Sequence, residues 1–598
     1  MFAPLSRAPR LGLAALLAVG AADAALAAAK SRTPAPASPA AASRGPKVQE
    51  HVLSNGMKLL LIPNHLSPTI SCGWAAHVGS VNERPGITGI SHLFEHMMFK
   101  GTHVIGTRDY DKDVRLIEEQ ERVQDQMRAE LSKMRAEQRM GEIADMTKPE
   151  AKTERYKQLE ARFDSLVAEQ RANMVKNEYD KILSKNGATV TNAFTSYDLT
   201  FYLETLPANK IELWLWLESD RLKNRVFREF YSERDVVYEE RRRSVESTPT
   251  GKFQESFDAQ FWDASPYSWP VLGWPSDVAM ITKAQADDYY DLYYAPQNIT
   301  AIMAGDFDPK TILPMAEKYL GSIPRGKRTP PEMITMEPRS LAEKRFYGEA
   351  ETNPAVTIRW HTVANMAKDD APLEVLANLL NGTSGRLHRN LVLGDGPATS
   401  ASASSETRKY EGLFEVEAEC KDGRTPEQVE SAVYAEIGKL QKTPVTADEL
   451  QMVKNRYLAS TYRQLSSNFR LMIRYGYADA IGDWRDADRA EQRVQAVTAA
   501  DVQRVADTYF TKENRAVAIW TRKAGGEPED PAIAALPADA KPMVKQMLTR
   551  INAATDKAQI QQMLARMDQM SGQMPAEMKP ALDYVRAKAE ARMSELSK

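Results

Sequence analysis

The stretch SHLFEHMMFKGT, Ser91 to Thr102, places two histidines and a glutamate within five residues, His92-Leu-Phe-Glu95-His96. An α-helix turns about 100° per residue, so His92 and His96 share one face, about 40° apart and one turn from each other. Glu95 borders that face. Imidazoles at i and i+4 can grip one cation, and zinc is the usual partner of imidazole and carboxylate together. A third protein ligand would leave a fourth position for water, with Glu95 beside it as a proton carrier. The alternative is a polar helix with surface His and Glu. Histidine is scarce, eight in 598 residues, yet the motif alone does not settle the matter, and a third ligand must be found elsewhere.

Outward from the motif, the chain reads as alternating strands and helices. Asn55-Gly56 between apolar runs predicts a hairpin, because both residues tolerate positive φ. Ile70 to Ser80 predicts a strand. Pro85, Gly86 and Gly89 mark a turn, with Thr88 a candidate cap for the helix that carries the motif. That helix is expected to stop at Lys100-Gly101. Gly187 to Leu206, rich in Thr, Tyr and Phe and alternating, predicts paired strands. Helical signals return at Ile211 to Leu222 and from Ser232 onward, and Asn298 to Asp308 reads as a strand and turn. A weaker echo of the same order follows between Lys344 and Thr521: strand (AVTIRWHTV), helix (LEVLANLLNG), strand (GLFEVEAEC), helix.

One segment breaks the pattern. Lys112 to Asp180 is highly charged and nearly free of Gly and Pro. Leu116, Val123, Met127, Leu131 and Met134 recur at helical spacing, as do Tyr156, Leu159, Phe163 and Leu166, with Gly141 and Pro149 between the two runs. Two long amphipathic helices forming a coiled-coil-like hairpin are predicted, with the charges on a solvated face.

The third ligand is sought in YSERDVVYEERRRSVE, Tyr231 to Glu246. Ser232 is a candidate cap, with Asp235 three residues on. Glu233 and Glu240 are seven apart and share a helical face to within about 20°, whereas Glu239 points about 100° away from Glu240. Such a helix could supply one ligand and one supporting acid, although acids and arginines of this kind are usually surface decoration.

Composition bounds the rest. Hydrophobic residues at 43% and charged residues at 27% describe an ordinary globular chain too long for one core. A net charge of −3 calls for neither nucleic acid nor an anionic membrane. Arg7 and Arg10 precede the apolar run Leu11 to Ala22, and small-residue sites follow near Ala28, the layout of a secretory signal. Export to the periplasm is favoured over a mitochondrial presequence, with no transmembrane anchor after cleavage. The two cysteines, Cys72 and Cys420, lie in apparent strands and read as buried free thiols. Any metal would therefore be held by nitrogen and oxygen.

With these residues in hand, the chain resembles the pitrilysin (insulinase) family of zinc metallopeptidases, the inverzincins, in the branch that includes mitochondrial processing peptidase and exported bacterial relatives. The resemblance runs from Val52 to Thr521. It rests on GSVNERPGITGISHLFEHMMFKGT, TNAFTSYDLTFY, SERDVVYEE and YYAPQNITAIMAGDFD. It implies one Zn2+ per chain on His92, His96 and Glu240, Glu95 as general base, and Glu233 as a second acidic position. It also implies an edge strand at Asn192, Ala193 and Phe194 that receives peptide in extended form. His96 and Glu240 are 144 residues apart, longer than the family spacing by about the length of the helical hairpin, so the insert lies between the ligand helices. In the family two halves close like a clamshell, and the distal half offers an Arg-Tyr pair to the substrate. Here Val392 and Thr399 stand at those positions. A related subunit without zinc, supplying the pair, is therefore expected in preference to a homodimer.

The expected fold is α+β: two homologous α/β-sandwich domains forming a clamshell half, with an inserted helical hairpin and a C-terminal helical tail. The expected segments are a signal peptide at 1–27, a Pro/Ala-rich linker at 28–47 and a zinc-bearing domain at 48–324 with the hairpin at 112–180. A linker at 325–343, an inactive homologous domain at 344–524 and a Met- and Ala-rich tail at 525–598 follow. The expected function is a zinc-dependent endopeptidase for extended or unstructured peptides, acting as the catalytic subunit of a two-chain enzyme. A non-catalytic scaffold of the same fold, or a helical adaptor, is the alternative.

Overall fold

The computed structural model describes residues 45–523 other than 147, and beyond them 533, 541–554, 556–571 and 579–596. The expected signal peptide and nearly all of the first linker lie outside the described residues. Two compact units divide between Thr521 and Arg522.

The first unit is built on two sheets. Strands β1 (Gln49–Val52), β2 (Lys58–Pro63), β3 (Thr69–Ala76), β4 (Val190–Thr195), β5 (Thr200–Pro207) and β6 (Ile299–Gly305) form one, in the order β1-β2-β6-β3-β5-β4. Strands β7 (Lys344–Ala350), β8 (Ala355–Thr362), β9 (Ala398–Thr407), β10 (Gly412–Cys420) and β11 (Arg515–Arg522) form the other, in the order β7-β11-β8-β10-β9. With β1 set aside, both sheets place their strands in the same spatial sequence: first, fifth, second, fourth, third. In both, the second strand pairs antiparallel with the fourth and fifth, and the third and fourth form an antiparallel pair. The echo in the sequence is thus a repeated topology. Each second strand is followed by a helix. In the first half this is α1 (Ile90–Met97), which carries the histidines. In the second it is Asp370–Leu380, whose buried residues include Leu373, Leu376 and Leu380 and which has no histidine.

The first sheet is covered on both faces, so strands β2, β3 and β6 read as continuous apolar runs rather than strict alternation. Leu59 and Leu61 of β2 face a core shared with α1, whereas Leu60 and Ile62, one residue out of phase, face the opposite side. The covering element there is the helix Asn468–Ile481, with Leu471, Met472 and Tyr475 against Phe201 and Ile302. By sequence this helix belongs to the second repeat, yet it packs on the first sheet. Gly476 allows the approach: a Cβ there would lie 2.8 Å from Phe201 Cζ and 2.9 Å from Ile302 Cδ1.

The hairpin predicted at Asn55-Gly56 forms, with Gly56 at φ 92° and Val52 opposite Lys58. The charged insert forms α2 (Tyr110–Arg139) and α3 (Glu154–Asn173), packed through Leu116, Val123, Met127, Leu159 and Leu166. A short helix, α4 (Glu178–Lys185), leads from the insert to β4. After β5 come α5 (Ile211–Lys223) and α6 (Phe230–Arg241). Cys72 and Cys420 are free and buried.

The second unit contains the helices Lys541–Ala553, Lys557–Ser571 and Lys579–Glu595. Val544, Ile551, Ile560 and Val585 form its core, with Met567 buried among them and Met547, Met563 and Met593 packed against it. The methionines serve packing.

Candidate active site

The helix α1 is started by a device that the sequence does not advertise. Its N-cap is Gly89, at φ 89°, with no side-chain cap. Thr88, expected to cap it, instead donates its hydroxyl to Asp277 and accepts from the Trp274 amide. The helix amides are taken by Glu83, which accepts from Gly89 N at 2.7 Å and Ser91 N at 2.8 Å. A carboxylate is well placed at a helix N-terminus, but burial pushes the Glu83 carboxyl up to about 8. The helix ends at Met97, three residues short of Lys100, and the chain turns away at Gly101 with φ 91°.

The helix α6 starts earlier than expected. Its N-cap is Glu229, in the left-handed region at φ 58°, and Ser232 already lies inside the helix. The shift leaves the angular argument intact, because Glu233 and Glu240 keep their seven-residue spacing.

The two helices meet face to face. His92 Nε2 lies 3.9 Å from Glu240 Oε1, and His96 Nε2 lies 3.3 Å from Glu240 Oε2. One ligand atom from each of His92, His96 and Glu240 can be chosen so that all lie within 4.8 Å of one another. Tetrahedral zinc with bonds near 2.1 Å separates its ligands by about 3.4 Å, so the three residues fit a zinc ion with little movement. Among the described residues this is the only such cluster of three. Glu239, by contrast, is bonded to Arg242.

Behind this set, Glu233 Oε2 lies 3.5 Å from His96 Nδ1, and its other oxygen accepts from Lys100 Nζ at 2.5 Å. A carboxylate on Nδ1 fixes the imidazole so that Nε2 faces the ligand position. Among the described residues no such partner holds His92 Nδ1, which is buried without a hydrogen bond. Glu95 stands beside the histidines without joining the three, and its Oε2 accepts from the Thr195 hydroxyl at 2.7 Å. Burial raises the proton affinity of the Glu95 carboxyl, and the Thr195 hydrogen bond opposes that rise.

Thr195 closes β4, the end strand of the first sheet. Asn192, Ala193 and Phe194 precede it, paired with Leu203, Tyr202 and Phe201. Asn192 is exposed, Ala193 buried and Phe194 half-buried. The end strand and the acid of the HxxEH motif are therefore linked directly through Thr195. Thr195 lay in the TNAFTSYDLTFY segment but carried no assigned role, because nothing local says that its hydroxyl meets a residue one hundred positions earlier. The contacts of Lys100 with Glu233 and of Glu83 with the α1 amides are likewise invisible to local sequence.

Electrostatics distinguish the two imidazoles. Burial, aided by the neighbouring His96, pushes His92 down to about 4. Burial also works against charge on His96, but the hydrogen bonds to Glu233 and Glu240 outweigh it and lift His96 to about 9. Glu240 is held below the usual carboxylate range chiefly by His96. A ligand imidazole must be neutral at its coordinating nitrogen, so a metal bound through His96 Nε2 would displace the His96 proton. Apparent zinc affinity is therefore expected to rise roughly tenfold per pH unit from neutrality to about pH 9 and then level off. Calorimetric titration in buffers of different ionisation enthalpy, which counts released protons, checks this. A pH-independent affinity would contradict it.

The chain is similar to known proteins. The family profile described as "Insulinase (Peptidase family M16)" matches residues 58–132, and that described as "Peptidase M16 inactive domain" matches residues 280–457. The chain is 23% identical over 484 residues to the zinc protease PqqE of Helicobacter pylori, covering 80% of this chain and 93% of that protein. It is 22% identical over 477 residues to the zinc protease YmxG of Bacillus subtilis, covering 78% and 96%. The crystal structure of a protease from Helicobacter pylori superposes with a TM-score of 0.65 at 21% identity, over 80% of this chain and 100% of that one. The periplasmic protease PqqL from Escherichia coli gives 0.59 at 16% identity, over 84% of this chain but 50% of that one. With both family profiles in chain order and a repeated sheet beneath them, the chain belongs to the insulinase family of peptidases, M16.

Proposed function

We propose that this chain is a zinc-dependent endopeptidase that cleaves extended peptide segments, with His92, His96 and Glu240 as metal ligands. One observation carries the reading: the ligand atoms of those three residues lie within 4.8 Å of one another, with the Glu95 carboxyl alongside. Zinc in this position would polarise the scissile carbonyl and lower the pKa of an attacking water to about 7. Glu95 takes the proton from that water and returns it to the leaving amine. The Thr195 hydroxyl on Glu95 Oε2 holds the carboxyl in position for this traffic. Glu233 holds His96 through Nδ1. Peptide adds as a further strand to β4 along Asn192, Ala193 and Phe194, so that its backbone is presented next to Glu95.

The chain acts as one half of a larger enzyme. Val392 ends a helical turn, and Thr399 on β9 donates its hydroxyl to Glu419 at 3.1 Å. Neither offers the cation and phenol that the family pattern places there. The chain also spans half the length of PqqL and matches the separately solved first half of that protein over 96% of its length. The missing groups come from a related subunit without zinc, or less favourably from a second copy. The periplasm is the proposed location: PqqL is described as periplasmic, and no helix among the described residues is long and apolar enough to cross a membrane.

The test is digestion of an unstructured peptide with metal analysis, before and after chelation. Cleavage is expected to disappear with the chelator and return with zinc, and to rise when a subunit bearing the Arg-Tyr pair is added. Cleavage indifferent to chelation would remove the metal from the reaction. Full activity of the purified monomer would remove the partner.

A further inference from the structure

The insert is joined to both ligand helices at the point where each begins or ends. We propose that the α2–α3 hairpin is a brace that positions α6, and through it Glu240 and Glu233, against α1. The proposal rests on the metallopeptidase reading of the site and concerns how its third ligand is held.

Arg228 is the hub. It precedes Glu229, the N-cap of α6, and its side chain is fully buried, as is that of Asp113. Arg228 Nε donates to Asp113 Oδ2 at 2.5 Å, in the first turn of α2. Its Nη1 donates to Lys100 O at 2.6 Å and Ile105 O at 3.3 Å, and its Nη2 to Thr102 O at 3.0 Å. These three carbonyls belong to the loop that leaves α1. Gln170 of α3 donates to the other Asp113 oxygen at 3.2 Å. One guanidinium thus ties together the exit of the histidine helix, both arms of the insert and the start of the glutamate helix. Buried backbone carbonyls need such a donor, and a rigid planar fork can serve several at fixed angles.

A second contact grips α6 from behind. The Tyr231 hydroxyl donates to Glu121 Oε2 at 2.7 Å and accepts from Arg128 Nη1 at 3.1 Å, both on α2. Phe163 of α3 meets the Tyr231 ring edge-on at 5.7 Å between centroids. Tyr231 precedes Glu240 by nine residues, which is about 180° around a helix. The insert therefore presses on the back of α6 while the front presents Glu240 to the imidazoles. A mere surface insertion could be tolerated at little cost wherever its ends lie close. This one is bonded to the helix that carries the third ligand.

The test compares two variants in the full chain. Tyr231→Phe keeps the ring and removes both hydroxyl bonds to α2. Thr153→Ala removes the N-cap of α3, whose hydroxyl bonds Tyr156 N and Glu130 within the hairpin, and so weakens the insert without deleting a bond to α6. The readouts are zinc affinity by competition with a chromogenic chelator and the visible spectrum of the cobalt-substituted chain. Tyr231→Phe is expected to weaken zinc binding about tenfold and to alter the cobalt spectrum, while Thr153→Ala lowers the thermal midpoint and leaves both readouts unchanged. Wild-type affinity and spectrum in Tyr231→Phe would overturn the brace, as would an equal loss in Thr153→Ala. A wild-type chain that binds no zinc or cobalt would instead overturn the metallopeptidase reading, and the brace with it.

Discussion

In a Glu95→Gln chain, peptide cleavage is expected to fall by about 10²–10⁴-fold, the range of a lost general acid–base group, while zinc content is unchanged. The separation of the two readouts follows from geometry. Glu95 lies outside the three residues whose ligand atoms converge, so removing its charge leaves the metal position intact. A glutamine is isosteric, and its carbonyl can still accept the Thr195 hydroxyl that Glu95 Oε2 accepts at 2.7 Å. What it cannot do is hold a proton between the attack and the departure of the amine. Burial raises the proton affinity of Glu95, which moves a carboxylate towards the neutral range in which a base can also serve as the acid. Hydrolysis of a fluorogenic unstructured peptide, with metal analysis of the same sample, measures both quantities. Cleavage persisting at the wild-type rate would take Glu95 out of the chemistry, and zinc lost with the substitution would make it part of the metal's support.

A second large effect is expected far from the metal. Asp479→Ala should cost about 3 kcal/mol of stability, the scale for removing one partner of a buried ion pair, with cleavage per folded molecule little changed. Asp479 is fully buried on the helix Asn468–Ile481, which the second repeat lays across the first sheet. It accepts from Lys58 Nζ at 2.7 Å and from Thr300 Oγ1 at 2.5 Å, and His77 Nε2 lies 3.7 Å away. Alanine would strand the part-buried Lys58 charge beneath a packed helix and leave the Thr300 hydroxyl with His77 Nε2 at 3.0 Å. Burial already holds His77 down to about 4 against the pull of Asp479, so that ring stays neutral and adds no charge. The denaturant midpoint of the full chain measures the effect. An unchanged midpoint would show that the helix is held by its apolar face alone.

How the chain divides between what is written locally and what is not is clearest at α6. The seven-residue spacing of Glu233 and Glu240 is a property of any helix, so their common face was legible before a fold was known. The start of the helix was not: Ser232 has the chemistry of a cap, but the turn begins at Glu229 because the adjoining Arg228 is held by carbonyls of the segment from Lys100 to Ile105. The same holds for Thr88, a plausible cap drawn away to Asp277 while Glu83 takes the helix amides. Capping preferences are weak, about 1 kcal/mol, and a buried hydrogen-bond network decides against them.

The amino-acid sequence by itself determined which residues share a face: His92 with His96, Glu233 with Glu240, the apolar seams of α2 and α3, and the alternation of β4 and β5. These follow from the fixed periods of helix and strand, which depend only on neighbours along the chain. Only the tertiary structure decided which faces meet. It brought Glu240 to the imidazoles across 144 residues, put β4 at the end of its sheet with Thr195 on Glu95, and sent a helix of the second repeat to cover the first sheet. The physical reason is that such meetings are selected by burying apolar area and satisfying buried polar groups over the whole molecule at once, quantities to which no short stretch contributes more than a part.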